Sequence, residues 1–235
     1  MLSPLQQNLS TVREQIAAAA RSAMRDPDAV RLLAVSKTFG ADAVIKAALD
    51  GQLAFGENYL QEALDKIAAV RAERPDLAVE WHFIGPIQSN KTRPIAEHFD
   101  WVHSVDREKI AQRLAEQRPT DLPPLNICLQ VNVSGEASKS GVAPAELDRL
   151  AHAVHGLPRL ALRGLMAIPE AAAGFERQRE PFRKLRLQFD ALRAQGIPLD
   201  TLSMGMSADK EAAIAEGATT VRIGSAIFGK RHHTR

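Results

Sequence analysis

Along almost the whole chain, short apolar runs that read as strands alternate with stretches repeating at the helical period, and few folds accept such a pattern. Strands are expected near 31–36, 53–56, 80–84, 101–105, 125–133, 160–167, 201–204 and 219–223. Helices are expected near 41–50, 58–73, 90–98, 107–117, 144–155, 174–195 and 208–216, with a short one after Gly224 or Ser225. The first 25 residues read as a further, alanine-rich helix that stops before Asp26 and Pro27. Asp42, Asp106 and Ser207 stand where they would cap the helices that follow. Pro75, Pro158 and Pro198 stand after helices, where a chain that must stop often carries proline.

Strands separated by helices require right-handed crossovers and a parallel sheet. Eight such units in about 200 residues fit an α/β fold of the (β/α)8 barrel type with an extra N-terminal helix. An open doubly wound sheet is the competing architecture. No shift in composition marks a second domain, so residues 1–235 are read as one barrel domain with a flexible tail at 230–235.

The chain carries 30 basic and 28 acidic residues, interspersed, for a net charge of +2. That balance gives no electrostatic case for nucleic acid or for a membrane surface. No run is long enough to be a transmembrane helix, and the N-terminal MLSPLQQNLSTVREQ lacks the basic start and apolar core of a signal peptide. The single cysteine, Cys128, excludes an internal disulfide and fits a reducing cytoplasm; inside NICLQVNV it reads as a small core residue. The seven histidines include no compact metal-ligand spacing, so no metal is expected.

In a barrel, chemistry gathers at the C-terminal ends of the strands. Those ends carry Lys37, Glu57 with Asn58, His82, Ser104, Asn132, Met166, Ser203 with Ser207, and Arg222 through Ser225. Lys37 closes the apolar run LLAVSK. An amine with apolar neighbours loses hydration, its pKa tends to fall, and the free base attacks aldehydes; a lysine that merely ends a strand is the plainer reading. The segment 202–229 places small residues in the loops after the last two strands, where backbone N–H groups and a helix N-terminus would cradle a phosphate. Ser203, Gly224 and Ser225 are the candidates, although glycines there also serve bare turns. Arg222 sits inside the burial-prone VRIG and must have a partner, either a structural carboxylate or a ring nitrogen of a bound cofactor. An aldehyde-reactive amine, a phosphate cradle and a donor for a ring nitrogen together describe pyridoxal 5′-phosphate.

The motifs AVSKT at 34–38, FGENYLQE at 55–62, WHFIGPIQSNK at 81–91, VNVSGEASKSG at 131–141, GLMAIP at 164–169 and the segment 202–229 run through nearly the whole chain. Through them the chain resembles the pyridoxal-phosphate homeostasis protein family, relatives of the alanine racemase barrel that lack its second domain. The resemblance implies pyridoxal phosphate held as a Schiff base on Lys37, with Arg222 facing the pyridine nitrogen and Ser203, Gly224 and Ser225 on the phosphate. Asn58 and His82 fall in matching motifs and are expected to line the cofactor; Gln88 and Asn90 are expected at the rim or in structural roles.

The same resemblance implies cofactor binding and vitamin B6 homeostasis, with possible passage to apoenzymes, rather than turnover. An arginine at the pyridine nitrogen supplies no readily transferable proton, and racemisation needs acids or bases on both faces of the α-carbon. The related racemases take one of these, a tyrosine, from a second domain of another subunit. This chain is expected to end just after the barrel, its single tyrosine, Tyr59, is expected in a packing or rim role, and a monomer is the default. Lys139 is a candidate secondary amine or a solvated loop lysine. Weak racemisation is the alternative activity, and an aldolase-like barrel using Lys37 on a phosphorylated sugar is the third reading.

Overall fold

The computed structural model describes residues 2–135 and 140–229; Lys139 and the tail at 230–235 lie outside them. Eight parallel strands close into a barrel in chain order. They are β1 (Arg31–Val35), β2 (Ala54–Glu57), β3 (Glu80–Phe83), β4 (Trp101–Val105), β5 (Leu125–Gln130), β6 (Leu160–Met166), β7 (Thr201–Ser203) and β8 (Thr220–Ile223). The pairing of β1 with β8, which puts Leu33 opposite Arg222, completes the ring. The open sheet is therefore excluded.

Helices α1 (Pro4–Ser22), α2 (Ala41–Leu49), α3 (Leu60–Glu73), α4 (Thr92–His98) and α5 (Glu108–Gln117) cover the first half. The second half carries α6 (Leu147–His155), α7 (Phe175–Ala194), α8 (Lys210–Ala215) and the one-turn α9 (Ser225–Phe228). Among the described residues no helix is long and apolar enough to cross a membrane.

Barrel strands are buried on both faces, so their side chains alternate between two cores. Leu32, Ala34, Phe55, Trp81 and Phe83 pack outward against the helices in the large core. Leu33, Val35, Ala54 and Ile84 form a separate cluster in the lumen, as do Trp101, Cys128 and Met166. Cys128 is fully buried, and burial pushes its thiol up to about 12, which suits a core residue rather than a nucleophile.

The N-terminal helix is shorter than the expected 25 residues, because Ser3 and Gln6 form a capping box at its start and the chain leaves the helix at Ala23. It is fastened next to the rim, with Asn8 Nδ2 donating to the Ile227 carbonyl of α9 at 2.9 Å. The expected strand over 125–133 stops at Gln130, beyond which the Val131 N–H donates to the Met166 carbonyl and Val131 makes an isolated bridge to Val142.

Three expected caps are corrected. Gly40, not Asp42, precedes α2, and Asp42 pairs instead with Lys46 one turn on. Arg107 precedes α5 while Asp106 pairs with it from outside the helix. α8 starts at Lys210, so Ser207 lies in the preceding loop, where Asp209 Oδ1 accepts from the Met206 N–H at 2.6 Å.

One glycine is dictated by the ladder itself. A Cβ on Gly164 in β6 would lie 1.7 Å from the Thr201 carbonyl oxygen of β7. Neither strand can retreat without breaking its other pairings. Gly164→Ala should therefore cost about 3 kcal/mol, read as a lowered denaturant midpoint.

Candidate functional site

A cavity of about 430 Å³ opens at the C-terminal mouth of the barrel. Its wall takes Val35 and Lys37 from the end of β1, Asn58 after β2, Ile84 after β3 and Ile168 after β6. Met206, Ser207 and Ala208 of the β7–α8 loop, then Arg222, Gly224 and Ser225, complete the other side. Lys37, Asn58, Arg222, Gly224 and Ser225, all expected from sequence, thus share one chamber.

The local backbone explains how each is delivered. Lys37 is half-buried, between a fully buried Ser36 and a Thr38 held at φ +70° in the left-handed region. Ser36 Oγ donates to Glu57 Oε1 at 2.5 Å, and the Thr38 N–H donates to Glu62 Oε1 at 2.6 Å. Lys66 of α3 binds both carboxylates and also donates to the Ser36 carbonyl at 2.8 Å. Burial raises the Glu57 carboxyl above its ordinary value, with Lys66 opposing. The lysine's two neighbours are thereby tied to one buried ionic cluster.

On the facing side, a Cβ on Gly224 would lie 3.0 Å from the Val35 carbonyl oxygen, so a side chain there would push the loop off β1 by a few tenths of an ångström. Phe39 of the wall stacks on Phe228 of α9 with ring centroids 5.1 Å apart. Asn58 contributes an Oδ1 that is buried without a hydrogen-bond partner among the described residues, as a ligand-facing acceptor would be.

His82 and Ser203 stand elsewhere. Both are buried in the lumen below the chamber and neither forms its wall. β7 ends at Ser203 with its side chain pointing inward, and the chain needs three more residues to reach the rim at Met206. Ser207 occupies the wall position expected for Ser203. His82 stacks on Trp101 at 5.4 Å, and Ser203 Oγ accepts from Arg222 Nη1 at 2.8 Å. Arg222 also donates to the Ala167 carbonyl at 3.0 Å, and its burial lowers its pKa to about 10. Among the described residues no carboxylate lies within ion-pair distance of it; its direct partners are neutral oxygens, and the more distant Asp209 charge opposes the effect of burial.

Tyr59 is 54% exposed and lines a neighbouring groove with Gln88 and Lys91 rather than the chamber. Gln88 and Asn90 are exposed, as expected of rim residues. A cavity of about 500 Å³ at the opposite end, between α1 and the strand starts, holds none of the candidates.

At that opposite end, Glu80 pairs with Arg31 at 2.7 Å and with His82 Nε2 at 2.6 Å. Burial works to raise its carboxyl, but the His82 hydrogen bond, the charge that ring carries once acid protonates it, and the Arg31 charge prevail and hold it at about 2, against an ordinary 4.5. A depressed carboxyl stabilises the fold above its unfolded pKa and loses that contribution as pH falls. The stability linked to Glu80 should thus be complete above pH 4.5 and vanish towards about 2. Glu80→Gln should remove that portion of the acid dependence of the urea midpoint.

The fold and chamber define a class: a (β/α)8 barrel whose C-terminal mouth joins a lysine, a buried arginine and a glycine–serine loop. The family model for the alanine racemase N-terminal domain matches residues 7–232. A pyridoxal phosphate homeostasis protein of Pseudomonas aeruginosa is 62% identical over 232 residues, covering 99% of this chain and 98% of its own length. Its counterpart in Escherichia coli is 53% identical over 234 residues, covering all of both chains. The solved structure of PipY from Synechococcus elongatus with PLP bound is 36% identical, covers 96% of this chain and 100% of PipY, and superposes with a TM-score of 0.82. The chain belongs to the pyridoxal phosphate homeostasis protein family, on the alanine racemase N-terminal domain fold.

Proposed function

We propose that this protein binds pyridoxal 5′-phosphate in the chamber, holds it as a Schiff base on Lys37, and serves vitamin B6 homeostasis without substantial turnover. The observation that carries this reading is the convergence of Lys37, Arg222 and the Gly224–Ser225 loop on one cavity. The chamber also fits the group in its details, with an unsatisfied Asn58 oxygen and a loop approach that a Cβ would fill. When bound, the cofactor supplies a reactive aldehyde and an electron-withdrawing ring.

The chain's own groups then have separate tasks. Lys37 presents its amine from the end of β1. Arg222 donates a hydrogen bond to the ring nitrogen while keeping its proton, which disfavours the protonated ring that carbanion chemistry needs. The amides around Gly224, Ser225 and Ser207 receive the phosphate. His82 and Ser203 act from beneath, through Arg222. Tyr59 lies outside the chamber wall, so it does not furnish a second base there.

The reading extends to a cytoplasmic monomer that passes the cofactor to apoenzymes. Light scattering and competition with an apo-aminotransferase test those extensions. The central claim is tested by proton exchange at the α-carbon of added alanine. The loaded protein should exchange no faster than free pyridoxal phosphate. Enzymatic exchange would overturn the absence of turnover in favour of a weak racemase.

A further inference from the structure

A continuous line of buried polar side chains crosses the lumen from one mouth of the barrel to the other. Arg222 Nη1 lies 2.8 Å from Ser203 Oγ, which lies 2.7 Å from His103 Nδ1. His103 Nε2 lies 2.8 Å from His82 Nδ1, and His82 Nε2 lies 2.6 Å from Glu80 Oε1. All are within hydrogen-bonding distance, and Ser203, His103 and His82 are each no more than 2% exposed.

The two ends dictate the direction of every bond between them. A guanidinium has no acceptor, so Arg222 must donate to Ser203; an ionised carboxylate has no donor, so Glu80 must accept from His82. His82 therefore carries its proton on Nε2 and, when neutral, offers Nδ1 as an acceptor. His103 must then donate from Nε2 and accept at Nδ1, and the Ser203 hydroxyl proton fills that last position. Along the line each of the three groups between gives and receives once, with no proton left over. Burial lowers the pKa of both imidazoles, in keeping with two neutral rings.

We infer that Ser203, His103 and His82 form a one-directional positioning relay that fixes Arg222 for the cofactor's ring nitrogen and links it to a counter-charge, Glu80, at the far mouth. This rests on the cofactor assignment proposed above only for its purpose; the polarity itself belongs to the protein alone. Aligned in this way, the dipoles place a lone pair against the buried guanidinium and an N–H against the carboxylate, and each bond strengthens the next. Glu80 thus influences a site it does not touch.

The first test uses the full chain labelled with 15N-histidine, without added cofactor, at neutral pH. Long-range proton–nitrogen spectra, assigned with single His82→Gln and His103→Gln variants, should show both rings neutral and protonated at Nε2. A doubly protonated His82, or a proton on Nδ1 of either ring, would overturn the relay. The second test loads pyridoxal 5′-phosphate into wild type, Glu80→Gln and Glu80→Leu. Glutamine retains an oxygen to accept from His82 but not the charge, so its His103 nitrogen shifts should match wild type while its visible absorption maximum moves part of the way towards that of the leucine variant. Leucine offers no acceptor and should shift both. A Glu80→Leu protein indistinguishable from wild type in both readouts sinks the relay. If wild type itself takes up no cofactor, the cofactor reading fails, and the tautomers measured without cofactor still decide the relay.

Discussion

Replacing Lys37 with alanine should abolish the yellow absorption of protein mixed with pyridoxal 5′-phosphate, and borohydride should then leave no label on the chain. Among the described residues Lys37 is the lysine on the wall of the chamber, so no other described amine there takes its place. The barrel should survive the change. Lys37 lies two residues beyond the end of β1, is half-buried, and contributes to no strand pairing, so the stability cost should be about 1 kcal/mol or less. Arg222 and the Gly224–Ser225 loop would still attract the phosphate and ring, leaving weak, non-covalent binding. A variant that kept the wild-type spectrum and borohydride labelling would place the reactive amine elsewhere. A wild-type protein that stayed colourless would instead favour the sugar-phosphate barrel.

The alternation of strand and helix signals was enough to place all eight strands within a few residues, because a parallel barrel strand is buried on both faces and reads as a continuous apolar run. Strand ends were legible for the same reason, and they delivered Lys37, Asn58, Arg222, Gly224 and Ser225 to one rim. The pattern says less about depth. His82 and Ser203 each lie at or next to the end of a strand, as Lys37 and Arg222 do, yet their side chains enter the lumen a layer below the chamber. Two residues of displacement along a strand keep the inward face and change the layer, and the boundary error of a sequence reading is that large.

His103 is not legible in the sequence. It carries no motif, and only its shared inward phase with His82 on the adjacent strand could have marked it. The caps were misplaced because aspartate and serine near a helix start serve loops and ion pairs equally well. Asp42 and Asp106 do the latter. The ionic cluster around Lys37 was half legible. Glu62 and Lys66 stand one helical turn apart, a spacing common on solvated helix faces. Only the fold shows Lys66 turned inward to meet the fully buried Glu57.

That cluster supports the last expected result: Lys66→Met should destabilise the fold by about 4 kcal/mol, because it leaves an acid buried without its partner. Lys66 Nζ lies 2.6 Å from Glu57 Oε1, and the two side chains are 3% and 0% exposed. The other carboxylate oxygen, Oε2, has no hydrogen-bond partner among the described residues, so Lys66 and Ser36 carry the compensation there. Burial already raises Glu57 above its ordinary 4.5, and without Lys66 the shift should grow. A raised carboxyl binds its proton more tightly in the folded chain, so the variant's stability should fall as pH rises above 4.5. Adding Glu57→Gln should restore much of the loss and flatten that pH dependence, measured by urea denaturation across the acid range. The damage should also reach the cofactor. Lys66 holds the Ser36 carbonyl and braces Glu62, which in turn holds the Thr38 N–H, so its removal loosens both neighbours of Lys37. Stability restored by the double variant without restored cofactor retention would show that Lys66 positions the lysine as well as balancing a charge. If Lys66→Met changes neither stability nor its pH dependence, Glu57 is not the uncompensated acid this geometry makes it.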